Sequence, residues 1–568
     1  MNPISSTARL VLAGLALGAF SSLISGASVV GIRLTIAGPI LACSAWACLI
    51  GAYAACRGRR RTVAPPAGAA WAEWPDVSSL TQPGALLLGL WPRSRAPLYL
   101  DDEQASAHAL VLGPSGTGKT AGVIAPNVLL RDPSRESAVV LDVKTGPRSL
   151  WNVTAGHYGD RARLFCPLLD CSIRYNPLHR VGTIGEAQRA AALLVRNTTP
   201  RDLSGDAQVY ASAAADLAAL LFLHAQGARA AGGHTVGSVY RILLGGAGMV
   251  RAALAGSPIA EVRERAGMFA ARERRVREAA VTGLLQRLAA WADPAVDDAT
   301  AGHWDLGQLG RTPGALYILL PEPEAARLQP LVAWLVADLL DTLIEQADRG
   351  ERRCPVRVYL DEFRRFGYLA GLSDRLPTLR ERGVSVVLGA QVLSQIEDVY
   401  GAREARSLVA NTETKLVFRA GDLETARTVS AWLGQTAVPV ISHTTGPGGA
   451  RATVHPYVRP LAMPDDIARL PDHTVLALAG ARRPFVLRQA RYYDVSVRAQ
   501  LGIAPKEPPF ALRPRPSHTP ASPPAAGTAP GSPAPGAPHP ESAPRRRPAP
   551  RPHGGVGVRP GYLSPPAR

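Results

Sequence analysis

The sequence predicts an α/β fold: a parallel sheet interrupted by a long all-α insertion, preceded by a helical hairpin of membrane-spanning length and followed by a disordered tail. Three observations predict it. Short apolar runs alternate with helical stretches between Ala107 and Gly389. A glycine-rich turn sits where the first of those runs gives way to a helix. Between residues 185 and 305 the strand signals stop, and Ala- and Leu-rich helical spacing replaces them.

The hairpin comes first, as residues 1–61. The stretches Leu10 to Gly31 and Leu34 to Cys56 carry no charge, and each exceeds the roughly 20 residues a helix needs to cross the hydrocarbon core. Ile32 and Arg33 alone separate them, so the turn is tight. Arg9 precedes the first run and Arg57, Arg59, Arg60 and Arg61 follow the second. The excess of basic residues on that side predicts both ends in the cytoplasm. The second span and its basic stop argue against a cleaved signal peptide.

Residues 62–95 read as a connector containing Pro and Trp. The core domain follows in two parts, 96–184 and 306–500. Its expected strands are AHALVLG (107–113), SAVVLDV (137–143), GALYILL (314–320), VRVYL (356–360) and VSVVLG (384–389), with TKLVFRA (414–420) and HTVLALA (473–479) later. Unbroken apolar runs of this length suit strands covered on both faces, as in a parallel sheet. The insertion, 185–305, shows helical spacing in EAQRAAALLV and YASAAADLAALLFLHA. From 505 to 568 the chain holds 20 of its 50 prolines and few large apolar groups. Such a segment cannot bury enough surface to offset its ordering entropy, so disorder is expected.

The chain has 568 residues and a net charge of +18. That length supports more than one cored region, and the charge suits a polyanionic partner. The six cysteines stand at no zinc-binding spacing, and three lie in the apolar N-terminal runs, so neither a disulfide framework nor a cysteine metal site is expected.

Chemistry concentrates in the turn Gly113, Pro114, Ser115, Gly116, Thr117, Gly118, Lys119, Thr120. It reads G-x-x-x-x-G-K-T, between a strand and a helix. Glycines let backbone N–H groups turn toward phosphate oxygens, and the helix N-terminus adds positive potential. Lys119 is expected at the β- and γ-phosphates of ATP and Thr120 at Mg²⁺. Such a site needs a carboxylate from another strand end. VRVYL supplies Asp361 for the metal and Glu362 as general base toward water. Gln391 follows VSVVLG and reads as a γ-phosphate sensor or an ordinary loop residue. Arg380, in LRERG, reads equally as a surface arginine or as a group that one copy places in its neighbour's site.

Several stretches together carry a resemblance: GPSGTGKT, LDVKTG (141–146), YNPL (175–178), VYLDEFRRFG (358–367), GAQVLSQIEDVYG (389–401), NTETKLVFRAGDLETARTVSAWLGQTAV (411–438), MPDDIARLPD (463–472) and RYYD (491–494). In this order, behind two N-terminal spans, the chain resembles the TraG-like type IV secretion coupling proteins of conjugative DNA transfer. The resemblance implies a RecA-like P-loop NTPase domain with an all-α insertion, forming a homohexamer on the bacterial inner membrane. It implies ATP hydrolysis with Mg²⁺. It also implies single-stranded DNA bound without sequence specificity, with a relaxase or relaxosome and the secretion channel's ATPases and inner-membrane components as partners. It assigns Lys119 and Thr120 to the phosphate loop, Asp361 and Glu362 to the acidic pair, Gln391 to the sensor and Arg380 to the trans-acting arginine. Two departures stand out. The family usually has a periplasmic segment between its spans, nearly absent here. Its Asp-x-Lys-Gly-Glu stretch is here Asp142-Val143-Lys144-Thr145-Gly146, without the glutamate. The alternatives are a coupling protein whose cargo is effector protein, and an FtsK-type DNA translocase.

Overall fold

The computed structural model describes residues 68–199, 204–228, 235–446, 449–504 and 506–515. The expected spans at 10–31 and 34–56, and the tail beyond residue 515, lie outside the described residues. Among those described, one helix, Asp206–Gly227, is long and apolar enough to cross a membrane. Its Leu217, Leu221 and Phe222 are fully buried in the protein's own core.

An eleven-stranded sheet organises the chain, in the order β2-β1-β13-β12-β9-β3-β8-β7-β4-β6-β5. Seven strands are mutually parallel: β9 (Thr414–Val417), β3 (Ala109–Leu112), β8 (Val384–Ala390), β7 (Val356–Leu360), β4 (Ser137–Asp142), β6 (Ala315–Leu319) and β5 (Ala162–Phe165). β3, β4, β6, β7 and β8 are buried at every position. This is why their sequences are continuously apolar rather than alternating.

The remaining wing is antiparallel, so the sheet is mixed where a parallel one was expected. β12 (Thr474–Ala479) runs against β9, β13 (Phe485–Arg488) against β12, and β1 (Leu86–Leu90) against β13 and β2 (Pro97–Leu100). Residues 480–484 between β12 and β13 are too few for a crossover, so that pair closes as a hairpin. β1 also corrects the connector reading of 62–95. Its five residues are all buried, and Asn127 ties it down. Asn127 Oδ1 accepts from the Leu87 N–H at 2.7 Å and its Nδ2 donates to Leu87 O at 2.9 Å. A second, two-stranded sheet pairs β10 (Gln435–Gly446) with β11 (Gly449–Pro460), in register from Gln435↔Pro460 outward. No strand was expected there. Pro439 and Pro456 face each other in mid-ribbon, and prolines had masked its strand signal.

Helices Ile184–Thr198, Asp206–Gly227, Val236–Leu244, Gly246–Ala255, Ala260–Ala270, Arg274–Arg287 and Pro294–Ala299 occupy the stretch read as an insertion. Thr183 and Glu186 form a capping box that starts the first. The long helix Asp206–Gly227 packs inward, its Phe222 ring 5.4 Å from Trp334 of the helix Ala325–Asp348. The insertion therefore shares one apolar core with the parallel strands. Residues 506–515, part of the stretch expected to be disordered from 505, make specific contacts. Phe510 packs on Trp151 at 4.7 Å and accepts its Nε1–H at 3.3 Å. The Arg515 N–H donates to Leu168 O at 2.9 Å. Composition averaged over many prolines hid these anchors.

Candidate functional site

Strand register brings distant segments to one edge. Leu112 stands opposite Ala390, Leu141 opposite Leu360, and Leu360 opposite Leu388. Gly113, Asp361 and Gln391 therefore leave the sheet together, beside Asp142, the last residue of β4. Carboxyl ends of parallel strands are where open α/β sheets bind ligands.

The loop after β3 turns through Gly116 and Gly118, with φ of 81° and 99°, a region where a Cβ is strained. A Cβ on Gly118 would lie 2.5 Å from Gln489 Oε1. Gln489 follows β13 and donates from Nε2 to Thr117 O at 2.7 Å. It buttresses the loop from the antiparallel wing, and no motif in the sequence marks it. The helix behind the loop opens with a π-turn, Thr120–Ile124, in which the Ala125 N–H reaches Thr120 O. Ala121 O, the α-helical partner of the Ala125 N–H, instead accepts the Tyr492 N–H at 3.1 Å.

Lys119 is 4% exposed. Its Nζ donates to Gly113 O at 2.6 Å and to Pro114 O at 3.2 Å. Burial holds its pKa below the ordinary value, against the opposing pull of Glu362 and Asp361. Thr120 Oγ1 donates to Asp361 Oδ2 at 2.6 Å. Asp361 is fully buried, and Lys144 Nζ lies 3.4 Å from the same oxygen. Burial works against the charge on Lys144, but Asp361, Asp142 and Glu362 outweigh it and raise its pKa. Asp142 is also fully buried. It accepts the Lys144 N–H at 3.0 Å and the Leu150 N–H at 2.7 Å. Burial first, and Asp361 second, push its carboxyl up to about 6.

Glu362 has φ 56° and ψ 51°, a left-handed conformation uncommon for a residue with a side chain. Such strain concentrates at functional sites. Gln391 Nε2 donates to Glu362 Oε2 at 2.9 Å. The aromatic residues flanking the acidic pair are structural. Phe363 stacks on Tyr400 at 5.2 Å, and the Tyr400 hydroxyl accepts the Leu369 N–H at 3.1 Å.

Asp361 Oδ1 is buried and finds no hydrogen-bond partner among the described residues. A buried carboxylate oxygen left unpaired is costly, and beside a threonine hydroxyl it fits a hard cation with oxygen ligands. Among the described residues no cluster of three or more His, Cys, Asp or Glu side chains offers a metal cage. Mg²⁺ does not need one, since it keeps waters and takes substrate phosphates.

Arg380 is not part of this gathering. It ends the helix Leu372–Glu381, before β8, and pairs with Glu413 at 3.1 Å, just before β9. It also contributes to the field at His108, just before β3. It therefore sits at the amino ends of the strands whose carboxyl ends carry Lys119 and Gln391.

Comparison with known proteins adds the following. Residues 76–515 match the family described as Type IV secretory system Conjugative DNA transfer. The chain is similar to the protein VirD4 of Rhizobium rhizogenes, 24% identical over 422 residues, covering 68% of this chain and 58% of that protein. It is similar to the conjugal transfer protein TraG of Escherichia coli, 27% identical over 425 residues, covering 68% and 65%. It spans about three-fifths of the length of these relatives. In fold it is similar to the conjugative coupling protein TrwBdeltaN70 in complex with sulphate, with TM-score 0.61, 21% identity, and 79% and 98% of the two chains covered. It is similarly close to TrwB in complex with ADP and Mg²⁺, with TM-score 0.60 at the same identity and coverage.

Proposed function

The chain belongs to the type IV secretory conjugative DNA transfer family, and from that premise we propose that it is the coupling ATPase of a conjugative secretion system, powering delivery of relaxase-bound DNA to the channel. The observation that carries the reading is the meeting of Thr120 and Asp361 at 2.6 Å, with a second Asp361 oxygen buried beside them and unpaired. Two segments 241 residues apart in sequence form one magnesium-nucleotide site.

ATP binds with its phosphates in the turn 113–120, and Lys119 swings from the loop carbonyls to the β- and γ-oxygens. Thr120 and Asp361 would hold Mg²⁺, which would supply positive charge against the developing phosphate charge. Glu362 takes a proton from the attacking water, and Gln391, already bonded to it, orients that carboxylate and senses the γ-phosphate. Lys144 offsets the crowding of Asp142 and Asp361. Arg380 completes the site of an adjacent subunit in a hexameric ring. The N-terminal runs anchor the ring in the inner membrane as a hairpin, with the body in the cytoplasm. DNA is gripped through its phosphates, mainly as a single strand and without sequence readout, so binding falls steeply with salt.

Substituting Lys119→Ala or Glu362→Gln in the full chain tests this. Both variants are expected to lose ATP turnover and element transfer while expression and membrane association persist. Transfer at the parental rate in Lys119→Ala refutes the motor reading.

A further inference from the structure

The arginines of the insertion fall into two groups. Arg265 pairs with Glu261 at 3.0 Å, and Arg274 with Glu278 at 2.8 Å. Arg272 pairs with Asp216 at 2.5 Å and Arg275 with Asp206 at 3.8 Å. Arg251, Arg263 and Arg277, like Arg196 and Arg287 elsewhere in the insertion, form no ion pair among the described residues. Arg263 Nη1 donates to Ser257 O at 2.6 Å and Arg277 Nη1 to Ala270 O at 2.8 Å. Backbone carbonyls orient those guanidinium groups without neutralising them.

These three arginines rim one groove. It lies among the helices Gly246–Ala255, Ala260–Ala270 and Arg274–Arg287, with a volume of about 460 Å³. Leu254, Phe269 and Val281 form its apolar floor. Gly248 and Gly267 keep it open, and a Cβ built on either meets nothing within 4 Å. No acidic residue lines the groove.

We propose that this groove receives an acidic amphipathic helix of the protein cargo, its apolar face on the floor and its carboxylates on Arg251, Arg263 and Arg277. The proposal rests on the coupling function above, which supplies a protein cargo. The apolar floor favours a peptide over nucleic acid, because phosphates gain nothing from Leu254 and Phe269. The volume suits two or three apolar anchors spaced at i, i+3 or i+4, and i+7, the pattern by which helices fill grooves. Arginine offers each carboxylate two parallel donors.

Binding is measured on the full chain in detergent with three fluorescent probes. One is a Leu/Glu amphipathic peptide of about 15 residues, ~22 Å long as a helix. The others are its Leu/Lys counterpart and a single-stranded oligonucleotide. The Leu/Glu peptide is expected to bind at least about tenfold tighter than the Leu/Lys peptide, a difference of about 1.4 kcal/mol. Arg251→Glu with Arg263→Glu erases that preference, and Gly267→Leu, which fills the groove from an exposed position, weakens binding about tenfold. Retained ATP turnover checks the fold of each variant. Equal binding of the two peptides overturns the proposal. So does oligonucleotide binding that responds to the arginines but not to Gly267→Leu, or loss of ring assembly in Gly267→Leu, which makes the groove a contact between copies. None of these results bears on the ATPase reading, which stands or falls with Lys119.

Discussion

The two ends of the same parallel strands are built differently. At the carboxyl ends, Lys119, Asp142, Lys144, Asp361 and Glu362 crowd together, two of the acids fully buried, with one carboxylate oxygen left unpaired. At the amino ends of β3, β8 and β9, His108 and Arg380 are each paired locally. His108 is 2% exposed; its Nδ1 accepts the Val386 N–H at 3.0 Å and its Nε2 donates to Leu376 O at 2.7 Å. Arg380 and Glu413, both half-exposed, form a surface pair. Both ends hold a left-handed residue, His108 and Glu362 at φ 56° each, but among the described residues the buried carboxylate oxygen left unpaired lies at the carboxyl end. A surface pair like Arg380–Glu413 contributes little to stability, which leaves Arg380 free to change partner. On the reading proposed above, Arg380 would serve a neighbouring subunit from the edge opposite its own Lys119.

The largest expected effect breaks this comparison at Arg380. Arg380→Ala is expected to lower ATP turnover by roughly 10³–10⁵-fold, the range for trans-acting arginines, while fluorescent ADP still binds each subunit with parental affinity. Turnover within a few-fold of the parent makes Arg380 a surface residue and removes the functional asymmetry between the edges.

A smaller effect tests whether the amino-terminal edge is scaffold. Burial lowers the His108 pKa from 6.5 to about 4. The unfolded chain then binds the more protons between those values, so stability is complete above pH 6.5 and is lost as pH falls toward 4. Its size is about 3 kcal/mol at pH 4. Asp142, raised to about 6, has the opposite sign, because the folded state holds its proton longer; its term lowers stability as pH rises from about 4 to 6. Chemical denaturation of His108→Gln across this range is expected to show a flatter acid limb than the parent. Parallel profiles exclude His108 as a source of the slope.

The smallest effect sharpens the other edge. Gln489→Ala removes one hydrogen bond to the phosphate loop, worth about 1 kcal/mol net. ADP affinity is expected to fall about fivefold with denaturation midpoints little changed. An unaltered affinity makes Gln489 a packing residue.

Much of this was legible in the chain. Each strand expected between Ala107 and Gly389 forms, because a buried parallel strand needs an unbroken apolar run. The turn at 113–120 and the acids at 361–362 were visible because phosphate and metal chemistry admit few residue types. The antiparallel wing was harder to see. β1 was hidden in a Pro- and Trp-containing stretch, and the β10–β11 ribbon by its prolines. Gln489 carries no local signal, since its role depends on lying beside Gly118, 371 positions earlier in the chain.

By itself, then, the sequence determined local elements: which runs between Ala107 and Gly389 are strands, and where helical spacing takes over from them. The tertiary structure decided which of them meet. Pairing of parallel strands is non-local, and one hydrogen-bonded register put Asp361 on Thr120, Gln391 on Glu362, and Arg380 at the opposite edge. Whether an arginine is neutralised or left facing a groove is equally non-local, because its partner comes from another helix and charge acts through space rather than along the chain.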